Sequence, residues 1–146
     1  MTQIDFHILQ DASVEARWLY VCRFIEKVER LGHTILVVVD ILEEAQELDD
    51  LLWSFKPESF IAHQILGGDE EAKVEITYLL NAPAEHIDAG SHHDVLINLS
   101  SRIPEYFSRF ARLAEIVIQD PKILEHTRDH YKFYKQRGYP ITQHQR

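Results

Sequence analysis

The chain has 146 residues, 45% of them hydrophobic and 27% charged, with a net charge of −9. That is one domain's worth of sequence with room for a real core, and its acidic surface excludes a general affinity for the nucleic-acid backbone, because phosphates would be repelled. The longest apolar run, ILVVV, is far short of the roughly 18 residues a membrane span needs, no basic-then-apolar signal segment opens the chain, and the lone Cys22 rules out an internal disulfide and fits a reducing cytosol.

IDFHIL, residues 4–9, alternates apolar and polar side chains and predicts a strand. Residues 14–32 have helical periodicity, with Ser13 placed to cap the start and Gly32 to stop the end. TILVVV, residues 34–39, is an apolar run rich in β-branched residues, as suits a central strand buried on both faces. A second helix is predicted over 42–55, ending ahead of Pro57, and a short strand over 60–66. Further strands are predicted over 73–80 and 94–99. Residues 104–116 predict a helix with Pro104 in its first turn, where the missing N–H does no harm, and 116–120 a last strand. The final helix starts at Pro121 and stops at Gly138; the short polar end, 139–146, is given no role. The order β-α-β-α-β-β-β-α-β-α predicts an α/β fold: a single-domain Rossmann-like sandwich over 1–146, with a mostly parallel central sheet and helices on both faces.

Such folds often hold nucleotides, but the glycines for that are missing. QDASVEA follows the first strand where GxGxxG would stand, and no GxxxxGK[ST] occurs, so backbone N–H groups cannot approach a pyrophosphate closely. No cofactor is expected. The best metal candidate is EHIDAGSHHD, with His86, Asp88, His92, His93 and Asp94. Imidazole and carboxylate there could bind Zn or Mn and support a metal-dependent hydrolase, although the spacing matches no familiar ligand pattern and a polar loop is the simpler reading. Cys22 falls in an apolar helical stripe with Trp18 and Ile25 and reads as a structural thiol. Ser100 and Ser101 lack a G-x-S-x-G elbow and read as turn residues. With no catalytic constellation in view, the sequence favours a binding module.

The charge is unevenly spread. Residues 1–121 hold 9 basic and 22 acidic side chains, a net of −13, whereas 122–146 hold 6 and 2, a net of +4. At about 100° per residue, Ile123, Thr127, Tyr131, Tyr134 and Gly138 share one side of the last helix, with Leu124 beside them. Arg128 and Lys135 run along a flank of that stripe, and Lys132 lies a little further round. One reading is a helix docked by its apolar stripe, with cations complementing its dipole. The other is a site: Tyr131 and Leu124 form an apolar wall, and Arg128, Lys132 and Lys135 donate to carboxylates. It would suit an acidic peptide ending in a large hydrophobic residue, or a few phosphates of single-stranded nucleic acid with tyrosine as a stacking platform; the net charge favours the peptide. A second aromatic cluster, Trp53, Phe55, Phe60 and Ile61 around Pro57, reads as core by periodicity and as an interface by composition.

These residues bear a resemblance. RDHYKFYKQRGY, with Arg128, Tyr131, Lys132, Tyr134 and Gly138, together with Leu52, Trp53, Ser59, Phe60 and His63, and with FHIL, VEI and DVLINLS in support, resembles the chi subunit family of bacterial DNA polymerase III over nearly the whole chain. The resemblance implies a non-catalytic clamp-loader accessory protein of the cytoplasmic, nucleoid-associated replisome, touching nucleic acid only indirectly and no membrane. It implies two partners: the psi subunit, and the acidic C-terminal tail of single-stranded-DNA-binding protein, a short Asp-rich peptide ending in Pro-Phe. Arg128 would meet the tail's carboxylates, Tyr131 would wall its terminal phenylalanine, and Lys132 would assist, beside Leu124 and Lys135. Trp53, Phe60 and Ile61 would face psi, or a helicase partner. Leu124 stands where the family often has a basic residue, with Lys122 nearby, and the proline after the tryptophan is shifted to Pro57.

Overall fold

The structure is a computed structural model that describes residues 1–56, 61–66, 72–83 and 92–146. Its elements in chain order are β1 (Gln3–Ile8), α1 (Val14–Arg30), β2 (Ile35–Val39), α2 (Leu42–Ser54), β3 (His63–Ile65), β4 (Val74–Tyr78), β5 (Val95–Asn98), β6 (Arg112–Val117), α3 (Pro121–Gln136) and β7 (Ile141–Gln145). The strands form a seven-stranded sheet in the order β3-β4-β2-β5-β6-β1-β7, with every pair parallel. The α/β fold expected from the sequence is therefore present, and its sheet is parallel throughout.

Chain direction explains the layers. The step from β1 to β2 through α1 runs one way along the sheet, and the step from β6 to β7 through α3 runs the other way. Right-handed crossovers in opposite directions place their helices on opposite faces. Accordingly Val21, Ile25, Leu48 and Leu52 of α1 and α2 pack with Ile35, Val37 and Val39 of β2. Tyr134 of α3 packs with Leu36 and Val38 on the other side, along with Phe107 and Phe110. β2 is buried at all five positions, which is why its sequence is apolar without alternation.

Helix ends follow local chemistry. Ser13 Oγ accepts the Ala16 N–H at 3.2 Å, and Asp120 Oδ2 accepts the Ile123 N–H at 3.2 Å, with Pro121 in the first position of α3. Gly32 (φ +87°) and Gly138 (φ +78°) take the left-handed conformation that ends α1 and α3. After α3, Gly138 N–H donates to Lys135 O and Tyr139 N–H to Tyr134 O, both at 3.1 Å, the paired bonds of a Schellman ending that turns the chain back toward β1.

Two expectations need correction. Residues 104–116 are not a helix. Only Phe107–Arg109 make a 3-10 turn, begun by Phe107 N–H donating to the Pro104 carbonyl, and Arg112–Val117 are strand β6. The apolar spacing of Phe107, Phe110 and Leu113 imitates a helix stripe, but Phe107 and Phe110 plug the α3-side core from a loop while Leu113 serves from the sheet. The strand expected over 116–120 overlaps only the last two residues of β6, which begins four residues earlier and ends at Val117. The second correction is at 139–146: Ile141–Gln145 form the edge strand β7, paired with β1. Phe60 and Pro57 lie outside the described residues.

Gly138→Ala is expected to destabilise the protein by about 1 kcal/mol, because a Cβ disfavours the left-handed conformation while no neighbouring atom would clash with it. Urea unfolding monitored by circular dichroism reads this directly; an unchanged midpoint would remove Gly138 from its part in turning α3 into β7.

Candidate functional site

The position of α3 is set by one buried carboxylate. Glu115 of β6, 4% exposed, receives Tyr134 Oη–H at 2.8 Å, Asn98 Nδ2–H at 3.0 Å and His130 Nδ1 at 3.1 Å. His130 Nε2 also lies 3.0 Å from the Ser101 carbonyl. A buried carboxylate needs such donors, and three here come from a strand and two turns of one helix. With His130 and Tyr134 turned inward, helical geometry carries Leu124, Arg128, Tyr131 and Lys135 to the flank of α3 that looks toward β1 and β7.

On that flank Tyr131 is half-buried, its ring 5.7 Å from Phe6 of β1 at an interplanar angle of 56°. Lys135 Nζ sits 5.7 Å from the Tyr131 ring centroid, a cation–π contact. Leu124 is half-buried against the same cluster, together with Ile8 and Ile141. Arg128 and Lys132 are exposed, and no ion-pair partner stands beside either among the described residues. Four of the five residues proposed from the sequence, Leu124, Arg128, Tyr131 and Lys135, thus share one flank, where a partly open apolar strip meets cations, and Lys132 lies about 100° round the helix from Tyr131. The sequence reading missed Ile8 and Ile141, which widen the strip, and Gln143, which pairs with Phe6 and so shares its face of the sheet. Ile8 shares the Phe6 face of β1 by strand alternation, and the β1–β7 register brings Ile141 and Gln143 alongside.

The second surface is mixed. Trp53, at the end of α2, is 51% exposed, with its ring 4.3 Å from that of His63. Ile61 is 2% exposed and belongs to the core beneath α2, so packing within this chain accounts for it and it offers no open surface. Phe60 lies outside the described residues. His63 braces this corner, with Nδ1 2.7 Å from Ile61 O and Nε2 2.9 Å from Asp49 O.

The histidines and carboxylates weighed as metal ligands are engaged separately. His92 is buried with Nε2 2.6 Å from Glu75 Oε1. Asp94 Oδ2 accepts the Thr34 N–H and hydroxyl, and the backbone bond foremost holds its pKa below the usual carboxylate range. His93 is exposed, His86 and Asp88 lie outside the described residues, and no group of three ligating side chains gathers among the described ones. Cys22 is buried, which pushes its thiol pKa up to about 12, and Ser101 bonds Asp40 Oδ1 through its N–H and hydroxyl, both at 2.9 Å. Those positions are structural: an inert thiol and a turn.

The family described as "DNA polymerase III chi subunit, HolC" matches residues 1–142. DNA polymerase III subunit chi of Pseudomonas aeruginosa is 39% identical over 146 residues, covering 99% of this chain and 96% of that relative. The subunits chi of Haemophilus influenzae and Escherichia coli are 24% identical over 140 residues and 26% over 124, covering 94% and 84% of this chain and 93% and 80% of the relatives. The chain belongs to the DNA polymerase III chi subunit family. These relatives are accessory subunits of a polymerase complex, and a metal-dependent hydrolase is not favoured. No described helix is long and apolar enough to cross a membrane.

The Glu115 network has a pH signature. Burial acts most strongly on His130 and would lower its pKa, but the Glu115 hydrogen bond and charge, with the Ser101 carbonyl, together outweigh it and raise the value above 6.5. A raised folded pKa gives stability that is complete below 6.5 and lost as pH rises through the folded value. The urea midpoint should therefore fall as pH rises above 6.5, and His130→Gln should flatten that fall; an equal slope in the variant would refute the assignment.

Proposed function

We propose that this chain is the non-catalytic chi subunit of a bacterial DNA polymerase III clamp-loader assembly, bridging the psi subunit to the acidic C-terminal tail of single-stranded-DNA-binding protein in the cytoplasm. The observation that carries the reading is the flank of α3: exposed, uncommitted Arg128 and Lys132 beside half-buried Leu124 and Tyr131, on a chain of net charge −9. Free cations next to open apolar surface fit a peptide that is anionic along its length and ends in a hydrophobic residue with a free carboxylate. Arg128 takes carboxylates in a fork, Lys132 adds a second charge, and Tyr131 with Leu124 walls the terminal phenylalanine. Lys135, lying over Tyr131, keeps the ring edge electropositive. Psi docks on the Trp53 surface, where an exposed indole is the kind of anchor that dominates interfaces; Phe60, assigned to the same partner from the sequence, lies outside the described residues. Tail and psi then engage different elements, α3 and the end of α2, so both can be held at once.

Titration calorimetry of the full chain with an Asp-rich peptide ending in Pro-Phe tests this. Binding in the micromolar range is expected, since a disordered tail loses entropy on ordering, and it should weaken with added salt. Arg128→Ala should weaken it about tenfold or more, the loss of one charge-assisted contact. Undiminished binding by Arg128→Ala would refute the site, and no binding by the native chain would refute the function.

A further inference from the structure

A cavity of about 700 Å³ opens on the face of the sheet opposite α3, between the last turns of α1 and strands β1, β6 and β7. Its origin is topological. α1 crosses from β1 to β2, and the far edge of the sheet, β1 and β7, carries no helix on this face among the described residues. The volume lies within the roughly 300–1,000 Å³ of small-molecule sites.

The walls are aromatic. Tyr20 and Phe24 of α1 lie nearly parallel, 11° apart with centroids at 6.3 Å. Phe24 is 4.7 Å from the His7 ring, and His7 stacks on His144 at 4.8 Å and 21°. Burial, followed by the neighbouring His144, lowers the pKa of His7 to about 4, so at neutral pH its ring is uncharged; at 5% exposure it backs the half-buried Phe24 and His144, the rings that reach the cavity.

The rim carries free positive charge. Both carboxylates lining the cavity are engaged: Asp5 takes two 3.0 Å bonds from Arg112 and lies 3.1 Å from His144, and Asp94 takes Thr34. Arg23 and Lys27, one turn apart on α1, and Arg146 after β7 line the same cavity with no ion-pair partner among the described residues. Uncommitted cations and stacked rings line the same cavity, and together they complement a ligand that is flat, apolar and negatively charged.

The geometry points to a second binding site: this cavity takes a small aromatic anion, its ring against Phe24 and the His7–His144 stack and its carboxylate or phosphate held by Arg23, Lys27 and Arg146. An aromatic carboxylic acid and a nucleoside monophosphate share that chemistry. The site lies across the sheet from α3 and stands or falls independently of the proposed tail site.

Amide NMR titration of the full chain tests it with three probes: naphthalene-2-carboxylate, the neutral naphthalene-2-carboxamide, and adenosine 5′-monophosphate. The carboxylate should bind saturably, with shifts centred on residues 20–31 and 141–146, and at least tenfold more tightly than the carboxamide. R23E/K27E should weaken the carboxylate at least tenfold and leave the carboxamide unchanged. Binding of the nucleotide with the same footprint would identify a nucleotide as the ligand, and its failure beside a bound carboxylate would identify an aromatic acid. Saturating the chain with the acidic tail peptide should not change the carboxylate's dissociation constant. Failure of both anions to bind, equal affinity for the carboxamide, or shifts confined to α3 would overturn the proposal; the comparison between acid and amide on the native chain needs no variant to fold.

Discussion

The carboxylate of Glu115 holds the fold's working parts in register. An apolar interface between a helix and a sheet tolerates small slides and rotations, because dispersion and burial are not directional. A buried carboxylate does not tolerate them, because every donor lost leaves a desolvated charge. Glu115 draws Asn98 from β5 and both His130 and Tyr134 from α3, so rotation of α3 by even one position would break two of its contacts. Tyr134 is fully buried as a result, with its phenol pKa raised far above the ordinary value by burial first and by Glu115 second. The outward direction of Arg128 and Lys132 is thus a consequence of an interaction neither residue joins.

The parallel topology then decides where surfaces can open. Crossovers running in opposite directions put two helices on one face and one on the other, and β7 closes the edge beside β1. On the α3 face, β1 and β7 supply Ile8, Ile141 and Gln143 next to the helix flank. On the other face, they supply His7 and His144 beneath the end of α1. Strand β7 therefore contributes to both surfaces, which explains how ITQHQ can be polar yet ordered: its alternate side chains serve opposite faces, and burial is needed on neither.

The parts of the fold legible in the sequence are those where one demand acts on a segment. β2 is buried on both faces and reads as a strand; α1 has a cap, a stripe and a glycine stop. β6 was obscured because RLAEIV carries its decisive polar residue, Glu115, inward, and because Phe107 and Phe110 continue a helical spacing from a loop. β7 was invisible because an edge strand held by backbone pairing with β1 needs no apolar alternation. The site divides in the same way. Helical geometry alone places Tyr131, Arg128 and Lys135 together, whereas Ile141 and Gln143 arrive through a register between strands more than a hundred residues apart in the chain. Trp53 and Ile61 were indistinguishable as sequence, and only the packing of α2 against β3 separates the exposed indole from the buried isoleucine.

The reversal of charge at the end of the chain also finds a physical account. A chain of net −9 repels a long polyanion, because many phosphates sample the acidic surface beyond the cluster. A short anionic chain end samples only its immediate surroundings, since screening confines charge effects to about 8 Å at physiological salt. Glu125 and Asp129 are exposed on α3 but turned roughly 120° or more from Tyr131, so the flank that meets the strip is cationic even though its helix is not uniformly so. On the proposed reading, the acidic bulk would sharpen the selectivity of the basic flank, disfavouring a long polyanion while a few carboxylates and one apolar side chain fill the local site.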